Sequence, residues 1–248
     1  MAGLMGFGAL LEVAPRIGVV PARYAPPTSE ILAALAEQAG RGGFWLALGD
    51  TLRTWITGLA IAVAAGVALG VVIGATPLLR AVTASTVEFL RPIPSVALIP
   101  LAVLLYGATR TSTLILVVYA AFWQVLVQVL HGVADVDPVA RDTAHSYRLG
   151  RWARMRWLVW PTALPYAVTG VRLAASVALI LAITGELVIG SPGLGREIAV
   201  AQTSGAVAPM YALVVVTGVI GVLANLAARM AERRALAWHP SVRGEVPA

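Results

Sequence analysis

Residues 55–74 read WITGLAIAVAAGVALGVVIG, twenty residues without a single charged side chain. A helix needs about 20 mainly apolar residues to cross the hydrocarbon layer of a membrane. The stretch therefore predicts a complete transmembrane helix. The whole chain agrees, because 59% of its 248 residues are hydrophobic and only 12% are charged, against roughly 25% charged residues in soluble domains.

The same length rule identifies further spans on the C-terminal side of this helix. Three of them are regular: residues 114–130, 166–189 and 211–228. A fourth, residues 89–106, contains Pro92, Pro94 and Pro100. Proline removes a backbone donor and kinks a helix, so we predict a broken span there.

The N-terminal part is less regular. Residues 1–20 are apolar at first and then include two charged residues and a proline. We expect a first span here, and its shortness leaves open whether the natural start lies upstream of Met1. Residues 26–43 predict a short amphipathic helix on the membrane surface, with Thr28 as its N-cap and Gly40 at its end.

These segments predict one all-α membrane domain over residues 1–248, with about six transmembrane helices. The longest loop, residues 131–165, lies between the fourth and fifth helices. With this loop inside, both termini are inside too, and the inner side holds about twice as many arginines as the outer side. The positive-inside tendency therefore favours a cytoplasmic loop and cytoplasmic termini.

The loop has helical signals of its own. Asp137 is suited to cap a helix that begins at Pro138, and we predict that this helix runs to about Leu149, with Gly150 as the break. Such a short helix is marginal alone in water and gains stability in a partner's groove. The following residues 151–160 mix three tryptophans with three arginines, a composition typical of an interfacial helix.

Composition excludes several activities. The chain has no cysteine, which rules out disulfides and thiolate chemistry, and no lysine, which rules out a P-loop ATPase. Its net charge of +6 comes from arginines at the ends of apolar segments, so we expect no nucleic-acid partner. The three histidines lie far apart, and we expect no metal site and no catalytic residue.

Polar residues inside spans are costly and are candidates for a transport path. Glu186 either lines such a path, contacts an outer partner, reaches the surface or pairs with Arg196. Arg172, in the same span, is better explained by a structural pair or by reaching the surface. The other candidates for path lining are Pro94, Pro100, Gln124 and Gln128.

Glu88 and Arg91 stand three residues apart before the predicted break. This spacing allows an ion pair on one helix face. We predict a structural pair.

The loop resembles the cytoplasmic "EAA" loop of permease subunits in bacterial ATP-binding-cassette importers. Residues 142–144, Asp-Thr-Ala, stand at the Glu-Ala-Ala positions, and Trp160-Pro161 stand at the Leu-Pro positions. The family glycine falls on Arg148, and the nearest glycine is Gly150. The resemblance implies that the loop couples to an ATPase through Asp142, Thr143, Ala144, Ser146, Tyr147, Arg148 and Gly150.

Three further segments, residues 91–100, 163–174 and 185–195, resemble the permeases that import sulfonates, taurine, nitrate and vitamin precursors. The likeness covers about residues 10–238. It implies a multi-pass subunit of the bacterial cell membrane that forms half of a translocation path, paired with a second permease copy. A cytoplasmic ATP-binding subunit would hold ATP and Mg²⁺, and an extracytoplasmic binding protein would deliver a small polar or anionic solute.

A second interpretation stays open. A broken span with charged residues is also typical of ion-coupled secondary transporters, which work without an ATPase. That interpretation leaves the structured basic loop unexplained. The sequence does not identify the substrate, nor does it decide between a homodimer and a heterodimer.

Overall fold

The computed structural model describes residues 12–13, 15–18, 21 and 23–238, and in this part the chain forms helices and no strand. The predicted all-α fold is confirmed. The predicted first span, residues 1–20, lies largely outside the described residues. The helices of eight or more residues are α1 (Thr28–Ala39), α2 (Gly42–Ala75), α3 (Pro77–Leu90), α4 (Ile99–Tyr106), α5 (Arg110–Ala134), α6 (Pro138–Ser146), α8 (Trp160–Ile189), α9 (Leu194–Thr203) and α10 (Val207–Ala235).

Short turns complete the architecture. A 3-10 turn, Ser95–Leu98, precedes α4, and the one-turn helix α7 (Arg151–Arg154) continues through a π turn, Met155–Val159, into α8. Within the described residues four helices are long and apolar enough to cross a membrane: α2, α5, α10 and the continuous stretch 151–189. They contain all four regular spans predicted from the sequence.

The broken span is confirmed and is longer than predicted. It begins with α3 at Pro77, and α3 meets the 3-10 turn and α4 at an angle of 81°. Counted as one span, this bent pair raises the number of spans in the described part of the chain to five. Pro92 and Pro94 lie in the break, where their missing backbone donors prevent a continuous helix.

The helix predicted within residues 26–43 is confirmed as α1, but its predicted cap is wrong. Pro27 occupies the N-cap position and Thr28 is the first helical residue. The Glu12 carboxylate accepts a hydrogen bond from the Ser29 backbone amide at 2.9 Å, which gives this amide in the first turn of the helix a hydrogen-bond partner. α1 packs against α10, where the Tyr211 hydroxyl donates to the Tyr24 carbonyl at 3.1 Å.

The core is built on α5, which packs between α2 and α8. Small residues on α2 meet valines on α5 at a constant sequence offset of 59, so the two helices run parallel. At Gly66 an added Cβ would lie 2.8 Å from the Val125 Cβ and 3.2 Å from the Leu126 nitrogen. Small residues let membrane helices approach this closely and gain dispersion contacts. The glycine–valine pairs are Gly58–Val117, Gly66–Val125, Gly70–Val129 and Gly74–Val133.

We predict that Gly66→Ala destabilises the protein, whereas Gly49→Ala in the same helix does not. A Cβ at Gly66 pushes against the α5 backbone, and overpacking of this kind costs about 1–3 kcal/mol. A Cβ at Gly49 meets nothing within 4 Å. Melting temperatures in detergent check this prediction, and equal melting of the two variants would contradict the close packing.

Candidate functional site

The loop helix α6 begins where the sequence predicts. The Asp137 Oδ1 atom accepts a hydrogen bond from the Val139 amide at 2.9 Å, and Pro138 occupies the first helical position. The predicted end is wrong by three residues, because the helix stops at Ser146 instead of Leu149. Gly150 is not the break; it is the N-cap of α7, with extended backbone angles.

The early stop is produced by Arg148, which has a left-handed φ of 52°. The Leu149 amide donates to the Ala144 carbonyl and the Arg148 amide donates to the His145 carbonyl, at 3.0 and 2.9 Å. These two bonds form a Schellman motif, whose left-handed residue is usually glycine. Arg148 thus adopts a backbone conformation that is usually taken by glycine.

The residues predicted to couple to an ATPase differ in accessibility. Ala144 is 5% exposed and packs inward, whereas the other six are exposed. The Thr143 and Ser146 hydroxyls bond to backbone carbonyls of their own helix. Val139 and Tyr147 are large, apolar and more than two-thirds exposed, so α6 presents an apolar patch to its surroundings.

We predict that Arg148→Gly makes the end of α6 more rigid and Arg148→Val makes it looser. A left-handed conformation costs an L-residue about 1–2 kcal/mol, and a β-branched side chain adds crowding. The rate of chymotrypsin cleavage after Tyr147 in the purified protein should fall in the glycine variant and rise in the valine variant. The reverse order would show that Arg148 is held by contacts other than this turn.

Glu186 lies in an environment that none of the sequence-based alternatives described. Its side chain is fully buried, and its Oε2 atom accepts hydrogen bonds from the Thr51 hydroxyl at 2.7 Å and the Gly195 amide at 3.1 Å. Arg196 is exposed and forms no ion pair in the described part of the chain. In this structure Glu186 therefore connects helices within the chain.

Buried carboxylates need compensation, and here the start of α9 supplies part of it. The Glu186 carboxylate lies at the N-terminus of α9, where free amides and the helix dipole favour negative charge. Gly193 has a φ of 152°, and a side chain there would overlap the carboxylate. The Thr51 hydroxyl also accepts a hydrogen bond from the Leu194 amide at 2.8 Å. Thr51 and Glu186 thus bind the first two backbone amides of α9, those of Leu194 and Gly195. We call Thr51, Glu186 and residues 193–195 the Glu186 clasp.

Residues 191–195, which form the turn from α8 into α9, are mostly buried. Ser191 is 1% exposed and Leu194 fully buried. The Ser191 hydroxyl bonds to the Thr113 hydroxyl on α5 at 2.7 Å. The segment is thus attached to both α2 and α5, beside the ion pair between Asp50 of α2 and Arg110 of α5.

We predict that Thr51→Val lowers the stability of the protein and Thr51→Ser does not. Valine has the shape of threonine but removes both hydrogen bonds of the hydroxyl, leaving buried partners unsatisfied at about 1–3 kcal/mol. Serine keeps the hydroxyl. The difference between the two melting temperatures in detergent measures the effect, and similar values would show that the clasp contributes little.

The remaining candidates for path lining are spread along the membrane. Pro94 and Pro100 are exposed near the break between α3 and α4, whereas Gln124 and Gln128 are half-buried on α5 and lie against Gly170 of α8. Gln128 also lines an open cleft of about 580 Å³ at the C-terminal end of α5, with Asp135 and Tyr166. The structure does not bring these four candidates together.

Two predictions about charged pairs have opposite outcomes. Arg172 forms an ion pair with Glu232 at 3.0 Å, which joins α8 to α10 and gives Arg172 a structural role. Glu88 and Arg91 do not pair; both are exposed, and neither forms an ion pair in the described part of the chain. Their spacing permits a pair without requiring one.

The spans, the break and the helical loop describe an integral membrane protein with several transmembrane helices, and they agree with the importer permeases that the sequence resembles. The profile of the family "binding-protein-dependent transport system inner membrane component" matches residues 62–236. The chain belongs to this family.

Individual relatives agree. The taurine transport system permease protein TauC of Escherichia coli strain K12 is 30% identical over 225 residues, 89% of this chain and 82% of that protein. A putative aliphatic sulfonates transport permease protein, SsuC of Bacillus subtilis strain 168, is 25% identical over 236 residues, 95% of this chain and 86% of that protein. The bicarbonate transport system permease protein CmpB of Synechococcus elongatus is 25% identical over 233 residues, 90% of this chain and 84% of that protein.

Solved structures show the same fold. A chain of the inward-facing MetNI methionine ABC transporter matches with a TM-score of 0.65 at 18% identity, covering 77% of this chain and 96% of that chain. An amino acid ABC transporter crystallised with histidines matches with a TM-score of 0.64 at 20% identity, covering 76% of this chain and 92% of that chain. At these identities the likeness concerns the fold alone.

Proposed function

We propose that the protein is the transmembrane subunit of an ATP-driven importer and forms half of its translocation path. The observation that supports this most directly is α6, a capped and exposed helix held between two membrane spans. A separate cytoplasmic ATPase, which holds ATP and Mg²⁺, docks on the 131–165 loop. A second copy of the permease completes the path, and an extracytoplasmic binding protein delivers the solute.

The docking surface follows from the exposed side chains of α6. Val139 and Tyr147 provide apolar area for a groove, and Asp142 provides a charge. Large apolar or aromatic anchors typically dominate helix-in-groove binding. Ala144 contributes from behind, because its small buried side chain keeps α6 close to the rest of the loop.

The loop and the C-terminus are both placed on the cytoplasmic side in this proposal. α10 ends beside the loop end of α8, as the Arg172–Glu232 pair shows. The last turns of α10 contribute Arg229, Arg233 and Arg234, which agrees with the positive-inside tendency.

The substrate is a small polar or anionic solute. The relatives named above are permeases for taurine, aliphatic sulfonates and bicarbonate, and a nitrate import permease, NrtB of Leptolyngbya laminosa, is 24% identical over 185 residues. All four solutes carry an oxyanion group. Within this class, selection rests mainly with the binding protein.

Ion-coupled transport without an ATPase is the competing function, supported by the broken span between α3 and α4. The two functions differ in what the loop touches. In the importer α6 contacts another protein in a manner that changes with nucleotide, whereas an ion-coupled transporter has no such contact.

The absence of native cysteine makes the deciding experiment direct. We predict that a cysteine replacing Ser146, paired with a cysteine in the permease-contacting groove of the ATPase, forms a cross-link in membranes whose yield changes with ATP. A cysteine replacing Ser204, exposed after α9 at the opposite end of α8, serves as the control and should not cross-link. No cross-link from several α6 positions in a correctly inserted protein would favour the ion-coupled transporter.

A further inference from the structure

The break between α3 and α4 lies at membrane depth. The Tyr119 hydroxyl donates to the Leu90 carbonyl, the last of α3, at 2.7 Å. Tyr119 follows Arg110 by nine residues and precedes Ala134 by fifteen. At 1.5 Å per residue Tyr119, which binds the end of α3, is about 14 Å from one end of α5 and about 22 Å from the other. This is inside a hydrocarbon layer of about 30 Å.

The exposed surface of α3 has two chemically different sides. Successive residues of a helix are turned by about 100°, which places Leu78, Val82 and Phe89 on one side; all three are large, apolar and about 70% exposed. About 100° away lie small and charged residues, which we call the polar flank of α3. Its members are Ala81, Ala84, Glu88 and Arg91, all of them exposed.

The polar flank is unsuited to lipid. Glu88 and Arg91 have no ion-pair partner within 4 Å in the described part of the chain, although α3 ends beside Tyr119 inside the membrane. A charge facing lipid at this depth costs several kcal/mol, so such residues face a partner or a water-filled cavity. The apolar side, in contrast, needs no partner other than lipid.

We propose that the polar flank of α3 lines the translocation path and that Arg91 contacts the oxyanion group of the passing substrate. A guanidinium presents paired donors in a planar fork that fits two oxygens of a sulfonate or carboxylate. Glu88, one turn earlier, adds an opposite charge that suits an ammonium group. The flank therefore fits a small oxyanion, and best a zwitterion that also carries an ammonium. This inference rests on the proposed function and specifies the substrate contact within it.

The break gives Arg91 its position. The residue directly follows α3, and Pro92 and Pro94 prevent the helix from continuing. Arg91 keeps helical backbone angles, with φ −56° and ψ −45°, so it remains in register with Glu88. The two charges thus lie at the end of a helix, where the chain turns by 81°.

Accessibility to charged thiol reagents tests the placement. We propose single-cysteine variants Ala84→Cys, Glu88→Cys and Arg91→Cys on the polar flank, with Phe89→Cys on the apolar side as the control. Each is expressed with the complete importer in membrane vesicles and treated with an anionic and a cationic methanethiosulfonate. Cysteines form thiolates and react in water but not in lipid, so the three flank positions should be modified and position 89 should not.

Reagent charge tests the local field. With Arg91 intact, the cysteine at position 88 should react several-fold faster with the anionic reagent, and with Glu88 intact the cysteine at position 91 should prefer the cationic one. Ala84→Cys removes no charge and replaces one small residue by another, so it remains informative if the other variants insert poorly. No modification at position 84, or equal modification at positions 84 and 89, would overturn the placement.

Uptake tests the contact. Arg91→Gln should reduce the maximal rate of taurine uptake at saturating binding protein, and Arg91→Lys should restore part of it, while the affinity of taurine for the binding protein stays unchanged. Equal rates for the native protein and Arg91→Gln would overturn the oxyanion contact. If the Ser146 cross-link forms but the flank is unreactive, only this inference fails; if the flank reacts and the cross-link is absent, the coupling proposal fails.

Discussion

Close approach of the α2 and α5 backbones determines the positions of the other elements. In a membrane, apolar side chains gain little by leaving lipid for protein, so helix association depends on contact at short range. The valines of α5 pack directly against the glycines of α2 at one constant offset, and α8 packs against both α5 and α2. The break of the bent span is attached to this core through Tyr119. The start of α9 is attached to it through Thr51, and the preceding Ser191 through Thr113.

The core also connects the two ends of the molecule. α8 extends from the loop, through the contact with Glu232, to Glu186, where its last turn holds the start of α9. One continuous helix therefore links the loop that contains α6 to the start of α9. The buried carboxylate is tolerated at the C-terminal end of α8 because the Gly195 amide and the Thr51 hydroxyl donate hydrogen bonds to it.

Local features were predictable from the sequence, and features that depend on distant partners were not. Hydropathy located the four regular spans and the prolines located the break, since both effects act within a single segment. The start of α6 followed from Asp137 and Pro138, but its end was misplaced because a left-handed arginine stands where glycine was sought. The role of Glu186 depends on Thr51, 135 residues away. The recurrence of glycine every four residues between Gly66 and Gly74 was a visible signal of the α2–α5 contact.

Because the offset between α2 and α5 is constant, insertions between these two helices and insertions within them should have different effects. Residues can be inserted or deleted in the connection 76–109 without disturbing the glycine–valine pairs, because packing between the two facing helices determines these pairs. One residue inserted within α2 would rotate every later glycine by about 100° away from α5. Natural relatives should therefore vary in length between these helices, while the lengths within them stay fixed.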